Sequence, residues 1–105
     1  MIVRIWRGIT YKDSAEAYLA YLNSVVLPGV AGRPGQRGGW ALRRFQGERA
    51  EFVVLTLWDS MDAIRDWAGG DPQKAVYTAE EAQYLLDQEG VVRHYDVVGT
   101  VTAPT

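Results

Sequence analysis

A few side chains in this 105-residue chain could do chemistry, and each also has a plainer structural use. His94 is the one histidine. Imidazole is the one side chain that titrates near neutral pH without help from its surroundings, so in a strand it is either a hydrogen-bonded structural residue or an acid–base group. Arg7 follows Val3 and Ile5 in MIVRIWRG. A guanidinium on that apolar row needs an anion, because an unpaired buried charge is costly. A structural carboxylate would serve, with Asp96 the candidate if the first and last strands are neighbours. A bound anion or phenolate would serve as well. Tyr77 and Tyr95 could donate hydrogen bonds in a pocket, although a phenol is a poor base at neutral pH. Trp58 and Trp67 either fill the core or wall a site for a ring. Trp6 suits such a site or an interface, where aromatics are enriched.

Other chemistries lack their residues. With no cysteine there is no disulfide, thiol nucleophile or thiolate metal site. One histidine without a spaced partner argues against zinc. Ser14, Ser24 and Ser60 stand in capping or helix-surface contexts, so no serine triad can be argued. The glycine-rich stretch GVAGRPGQRGG lacks the pattern of a phosphate-cradling loop.

The elements that must position these residues follow from periodicity. Phe52 to Trp58, FVVLTLW, is apolar on both faces and suits a central strand covered on both sides. Asp59 and Ser60 offer capping oxygens to a following helix. Ile64, Trp67 and Ala68 make its apolar face, and Gly69-Gly70 ends it. Asp71-Pro72 is expected to restart a helix. Ile2 to Arg7 is the first strand, with Val3, Ile5 and Arg7 on one face and Ile2, Arg4 and Trp6 on the other. A helix is expected over 14–26, capped by Asp13 or Ser14. Its stripe is Ala15, Tyr18, Leu19, Leu22, Val25 and Val26, and Pro28-Gly29 should stop it.

Residues 29–39 read as a mobile connector, Trp40 to Phe45 as the second strand, and Gln46-Gly47-Glu48 as a hairpin turn. Thr78 to Glu81 reads as a capping box opening a helix that buries Ala82, Leu85 and Leu86 and closes at Gly90. Val91 to Val98 is the last strand, and 99–105 a tail. The order β-α-β-β-α-β is the ferredoxin-like arrangement, a four-stranded antiparallel sheet with helices on one face. The face without helices keeps large apolar side chains, which predicts a homodimer formed sheet against sheet.

Composition sets the bounds. The length suits one domain, residues 1–98, and 48% hydrophobic with 23% charged residues is ordinary for a folded chain. A net charge of −2 gives no positive field for nucleic acid. Arg33, Arg37, Arg43, Arg44 and Arg49 crowd the middle while 59–89 is mostly acidic, an asymmetry that suits a solvated face or helps a dimer dock. With no leader or spanning run, the expectation is a cytoplasmic protein with no membrane partner.

The segments MIVRIWRG, YLAYL, LTLWDSMDAIRDWAG, KAVY and HYDVV together resemble the antibiotic biosynthesis monooxygenase-like proteins, dimeric α+β barrels, over about residues 1 to 98. The resemblance implies oxygenation of a small aromatic substrate, a phenol, quinone or polyketide-type ring, without metal or flavin and with no cofactor. The substrate would lie between sheet and helices. On this reading Arg7, His94 and Tyr77 are the expected catalytic residues, with Arg7 holding a phenolate. Trp6, Trp58, Trp67 and Tyr95 are the expected substrate contacts. A non-catalytic ligand-binding or stress-associated dimer of the same fold is the alternative. A third reading is heme binding or degradation. The heme-degrading branch carries an Asn late in strand one, a Trp ending helix two and a His in the next helix. Here those positions hold Arg7, Trp67 and Tyr77, so only the Trp remains, although tyrosine can ligate heme iron.

Overall fold

Three long strands set the frame in a computed structural model, which describes residues 1–76 and 79–104, Ala79 by its backbone alone. They are β1 (Ile2–Tyr11), β2 (Gln36–Gln46) and β3 (Arg49–Trp58). β1 pairs antiparallel with β3 from Ile2↔Trp58 to Tyr11↔Arg49, and β3 pairs with β2 through the tight turn at Gly47. The other edge of β1 is shared. β5 (Arg93–Asp96) takes Ile2 to Ile5, and β4 (Leu85–Gln88) takes Gly8 to Thr10. The strand order is β2-β3-β1, with β4 and β5 both beyond β1. This is the ferredoxin-like sheet with its last position filled by two short strands, so the expected four strands become five.

Alternation then assigns the faces. Ile2, Arg4, Trp6, Gly8 and Thr10 share one face with Ala50, Phe52, Val54, Thr56 and Trp58, and all of the latter five are buried. Two helical runs cover this face. The first is α1 (Ala15–Tyr21), a π-helical turn (Leu22–Val26) and α2 (Leu27–Val30). It buries Ala15, Tyr18, Tyr21 and Leu22 against Phe52 and Val54. The second, α3 (Met61–Ala68), buries Ile64 against Trp58 and Val30. Ser60 caps α3 as expected, accepting from the Ala63 N–H at 3.2 Å, and Gly69 at φ 97° ends it.

Several boundaries move, each for a physical reason. Pro28 does not stop the first helix. The π-turn before it bonds the Leu27 N–H to the Leu22 carbonyl, and that wider turn accommodates a residue with no N–H of its own. The connector is shorter than expected, because β2 begins at Gln36. Gly39 lies against β3 so closely that a Cβ there would sit 2.6 Å from the Leu55 carbonyl oxygen. Asp71-Pro72 forms a single turn, with the Asp71 carboxylate accepting from the Gln73 N–H. Thr78 lies outside the described residues. The helix expected after it is a 3₁₀ turn (Ala79–Gln83) followed by β4. The free edge of β1 beyond Ile5 needs backbone partners, and Leu85 to Gln88 supply them.

The opposite face has no helix. Val3, Ile5, Arg7 and Ile9 lie there with Glu51, Val53, Leu55 and Leu57. Trp40, Leu42 and Tyr95 on the same face are 56, 48 and 53% exposed. Among the described residues no helix is long and apolar enough to cross a membrane.

The approach at Gly39 can be checked. Gly39→Ala is expected to destabilise the fold by about 1–3 kcal/mol, because the new methyl meets backbone rather than a side chain that can swing away. The midpoint of urea unfolding measures it.

Candidate functional site

The helices do not seal against the sheet. Between them lies a cavity of about 300 Å³ walled by Trp6, Tyr18, Val54 and Trp67, with Arg4 and Glu81 as its charged lining together with Arg33. That is the lower size of a small-molecule site, with few polar groups in an apolar wall. The aromatic walls are fixed by their neighbours. Trp67 stacks on Trp58 at 5.3 Å with the rings 19° apart, and the Trp58 Nε1–H bonds Thr56 Oγ1 at 2.8 Å. Tyr18 meets Phe52 edge-on at 4.9 Å and Trp6 at 6.3 Å. The Trp6 indole lies over Gly8, where a side chain would collide with it.

Arg4 is 4% exposed. Its Nη1 donates to the Pro72 carbonyl and to His94 Nε2 at 3.0 Å, and its Nη2 donates to the Lys74 carbonyl at 3.0 Å. The guanidinium also lies over the Trp67 ring, 5.2 Å from its centre. These partners are all neutral. The ion pairs among the described residues join Arg7 and Arg44 to Glu51, Arg37 to Asp59, Arg43 to Glu16, Arg65 to Asp62 and Arg93 to Glu89, and none includes Arg4. Desolvation pulls its pKa down to about 10, so it remains a cation at neutral pH.

Glu81 is 5% exposed. Burial pushes its pKa up to about 7, against a smaller opposing effect of a hydrogen bond from Tyr18. A carboxyl group balanced there can take or give a proton at physiological pH. His94 is shifted down, first by burial and then by the nearby Arg4 charge. Because Arg4 can only donate, His94 Nε2 accepts, and the proton of the neutral ring sits on Nδ1.

The residues singled out in the sequence separate into two groups. Trp6 and Trp67 line the cavity. Trp58 stands behind Trp67 as fully buried support, and His94 touches the site through Arg4. Arg7 and Tyr95 lie on the sheet's other face, away from the cavity. The partner of Arg7 is Glu51, not Asp96, which pairs at the far end of β1 beside Ile2. Arg44 reaches the other Glu51 oxygen at 2.6 Å, and the two arginines, Arg44 foremost, hold that carboxyl below its usual range. Tyr77 lies outside the described residues. Among those residues no cluster of His, Asp and Glu could hold a metal ion.

Solved structures share this architecture. MhuD from Mycobacterium tuberculosis, a heme-degrader with two hemes bound in its active site, is 26% identical, with 97% of this chain and 100% of that one covered and a TM-score of 0.62. A variant of MhuD with two manganese protoporphyrin IX molecules bound per active site is 26% identical, covering 98% and 100%, at a TM-score of 0.64. A protein from Bacillus cereus described as a putative antibiotic biosynthesis monooxygenase is 12% identical, covering 100% and 98%, at a TM-score of 0.69. The chain has the antibiotic biosynthesis monooxygenase-like fold. No protein-family model and no curated protein matches it.

Within this antibiotic biosynthesis monooxygenase-like fold, sequence reasoning missed Arg4 and Glu81. The alternation of β1 does put Arg4 beside Trp6. What could have separated Arg4 from Arg7 is the parity of Phe52 and Trp58, the bulkiest residues of β3, which face the helices with Arg4. Glu81 sits in a stretch that reads equally well as a helix cap.

The Glu81 shift has a signed consequence. The fold holds a proton that the unfolded carboxyl releases near pH 4.5, so this contribution is full below pH 4.5 and lost as pH rises through about 7. His94 acts oppositely, with stability lost as pH falls below 6.5. Comparison with Glu81→Gln isolates the first effect. The variant is expected to lose up to about 3 kcal/mol less stability than the parent between pH 4.5 and 7.5, measured by urea unfolding at both pH values.

Proposed function

We propose that this protein is a monooxygenase-like enzyme that oxygenates a small aromatic substrate, working as a homodimer in the cytoplasm. The observation that carries the reading is an apolar, aromatic-walled cavity containing one acid balanced near pH 7 and one buried cation. Trp6 and Tyr18 offer aromatic surface to a ring and Trp67 adds to the apolar lining, and about 300 Å³ accommodates one ring or a few fused rings.

The chemistry asks little of the protein. Glu81 in its ionised form takes the hydroxyl proton of a phenol. The Arg4 charge favours the anion that results, and so lowers the phenol pKa. The electron-rich ring reduces O₂, and a C–O bond forms at the ring carbon. The O–O bond then breaks. Water leaves with the proton returned by Glu81 and the hydrogen displaced from the ring. One phenol and one O₂ thus give one quinone and one water. The walls keep bulk water from the anion. His94 orients Arg4 from behind and stays outside the proton path.

The 26% likeness to MhuD favours a second reading, heme handling. The cavity volume counts against it, since a porphyrin is larger than a few fused rings. The engagement of His94 Nε2 by Arg4 counts against an imidazole ligand. A Soret band of bound hemin at stoichiometric ratio would revive this reading.

The dimer would form across the open sheet face, which Trp40, Leu42 and Tyr95 share with the Arg7–Glu51–Arg44 cluster. A partner's sheet would remove that apolar surface from water.

Two measurements test the proposal. Oxygen uptake is expected with naphthol- or hydroquinone-type substrates in metal-free buffer, falling about 10²–10⁴-fold in Glu81→Gln. Binding of the same compounds without uptake would leave a ligand-binding protein. By light scattering the parent is expected to be a dimer and Leu55→Asp, on the open face, a monomer. A monomeric parent removes the dimer.

A further inference from the structure

Arg4 bears on the charge of the substrate. A guanidinium has five N–H donors. Three of them meet the Pro72 carbonyl, His94 Nε2 and the Lys74 carbonyl. The remaining two, the Nε–H and one N–H on Nη2, meet no acceptor among the described residues. The side chain is nonetheless more than nine-tenths buried and forms part of the cavity wall. Among the described residues, folding has thus placed a cation with two donors that meet no acceptor against an apolar cavity.

The chain contains a candidate to fill those donors and does not use it. Glu81 lines the same cavity. It bonds to Tyr18, and its acidity is set by burial rather than by Arg4. Other arginines of the sheet take carboxylates readily: Glu51 receives Arg7 and Arg44, and Asp59 receives Arg37 at 2.6 and 3.0 Å. Arg33, whose Nε bonds the Gly29 carbonyl at 3.1 Å, adds a second positive charge to the cavity wall.

We infer that the substrate is an aromatic acid, a ring bearing an anionic oxygen group that Arg4 receives on its two vacant N–H donors. This rests on the proposed function and narrows it. A carboxylate supplies two oxygens to two donors and is ionised throughout the physiological range, so it compensates the buried guanidinium at any working pH. A phenolate supplies one oxygen, and only after losing its proton. A hydroxyaromatic acid would satisfy both charged residues at once, with the carboxylate on Arg4 and the reacting hydroxyl toward Glu81.

Quenching of tryptophan fluorescence at pH 7 by 2-naphthoate, 2-naphthol and 2-naphthalenemethanol separates the possibilities. The unmodified protein is expected to bind 2-naphthoate about 10–100-fold more tightly than either neutral compound, the worth of a charge-assisted pair. Arg4→Gln should abolish that preference while 2-naphthol still binds, and Arg4→Lys should retain part of it. Arg4 also holds the Pro72–Lys74 turn, so a variant that fails to fold leaves the comparison on the unmodified protein to decide. Equal or tighter binding of 2-naphthol by the unmodified protein overturns the acid specificity and leaves the aromatic reading standing. A preference that survives in folded Arg4→Gln overturns the role of Arg4. If no naphthalene binds, the aromatic reading falls and this inference with it.

Discussion

A buried cation with no counter-ion among the described residues is the constraint on which the site depends. Removing a guanidinium from water is expensive, and the usual remedy is a carboxylate beside it. Arg4 has two backbone carbonyls, an imidazole lone pair and the face of Trp67. Each of these moderates the charge and none cancels it. The arrangement fixes much around it. The turn carrying Pro72 and Lys74 is drawn onto β1. β5 is held in register by the contact of His94 beneath Arg4. Trp67 is clamped between Arg4 and Trp58.

The sheet separates two kinds of charge by parity alone. On the open face, Glu51 pairs with both Arg7 and Arg44 in one cluster, so each of these charges has an opposite charge beside it. On the covered face, Arg4 and Glu81 share a cavity and do not pair. The first pattern is that of structural charges, and the second is that of groups kept available. One strand thus presents two arginines of the same chemistry in opposite circumstances, three residues apart.

Much of this was legible in the sequence and some of it was not. The strand, turn and helix from Phe52 to Gly70 could be read closely, because a short continuous apolar run, a serine cap and a glycine stop all agree there. Alternation also sorts β1 into its two rows. It could not say which row faces the helices, since both carry a guanidinium and bulk. Arg7 was singled out because Val3 and Ile5 made its burial look costly, but Glu51 relieves that cost from the neighbouring strand, a long-range pairing that local pattern does not reveal. Glu81 was hidden by its surroundings in sequence. With Thr78 three residues earlier it reads as part of a capping box, and only its hydrogen bond with Tyr18 and its burial in the fold show otherwise. β4 was hidden similarly, because Leu85 and Leu86 suit a helix until the unpaired edge of β1 is taken into account.

Two Arg4 donors meet no acceptor among the described residues, and an acidic ligand is expected to fill them. Proton–nitrogen NMR of the arginine Nε–H groups tests it most directly. The expected result is an Arg4 Nε–H that exchanges quickly with water in the free protein, then shifts downfield and slows on addition of 2-naphthoate, while Arg7 and Arg44 do not move. An Arg4 Nε–H already protected in the free protein and unmoved by the ligand would contradict the account, because its anion seat would then be filled by the chain itself.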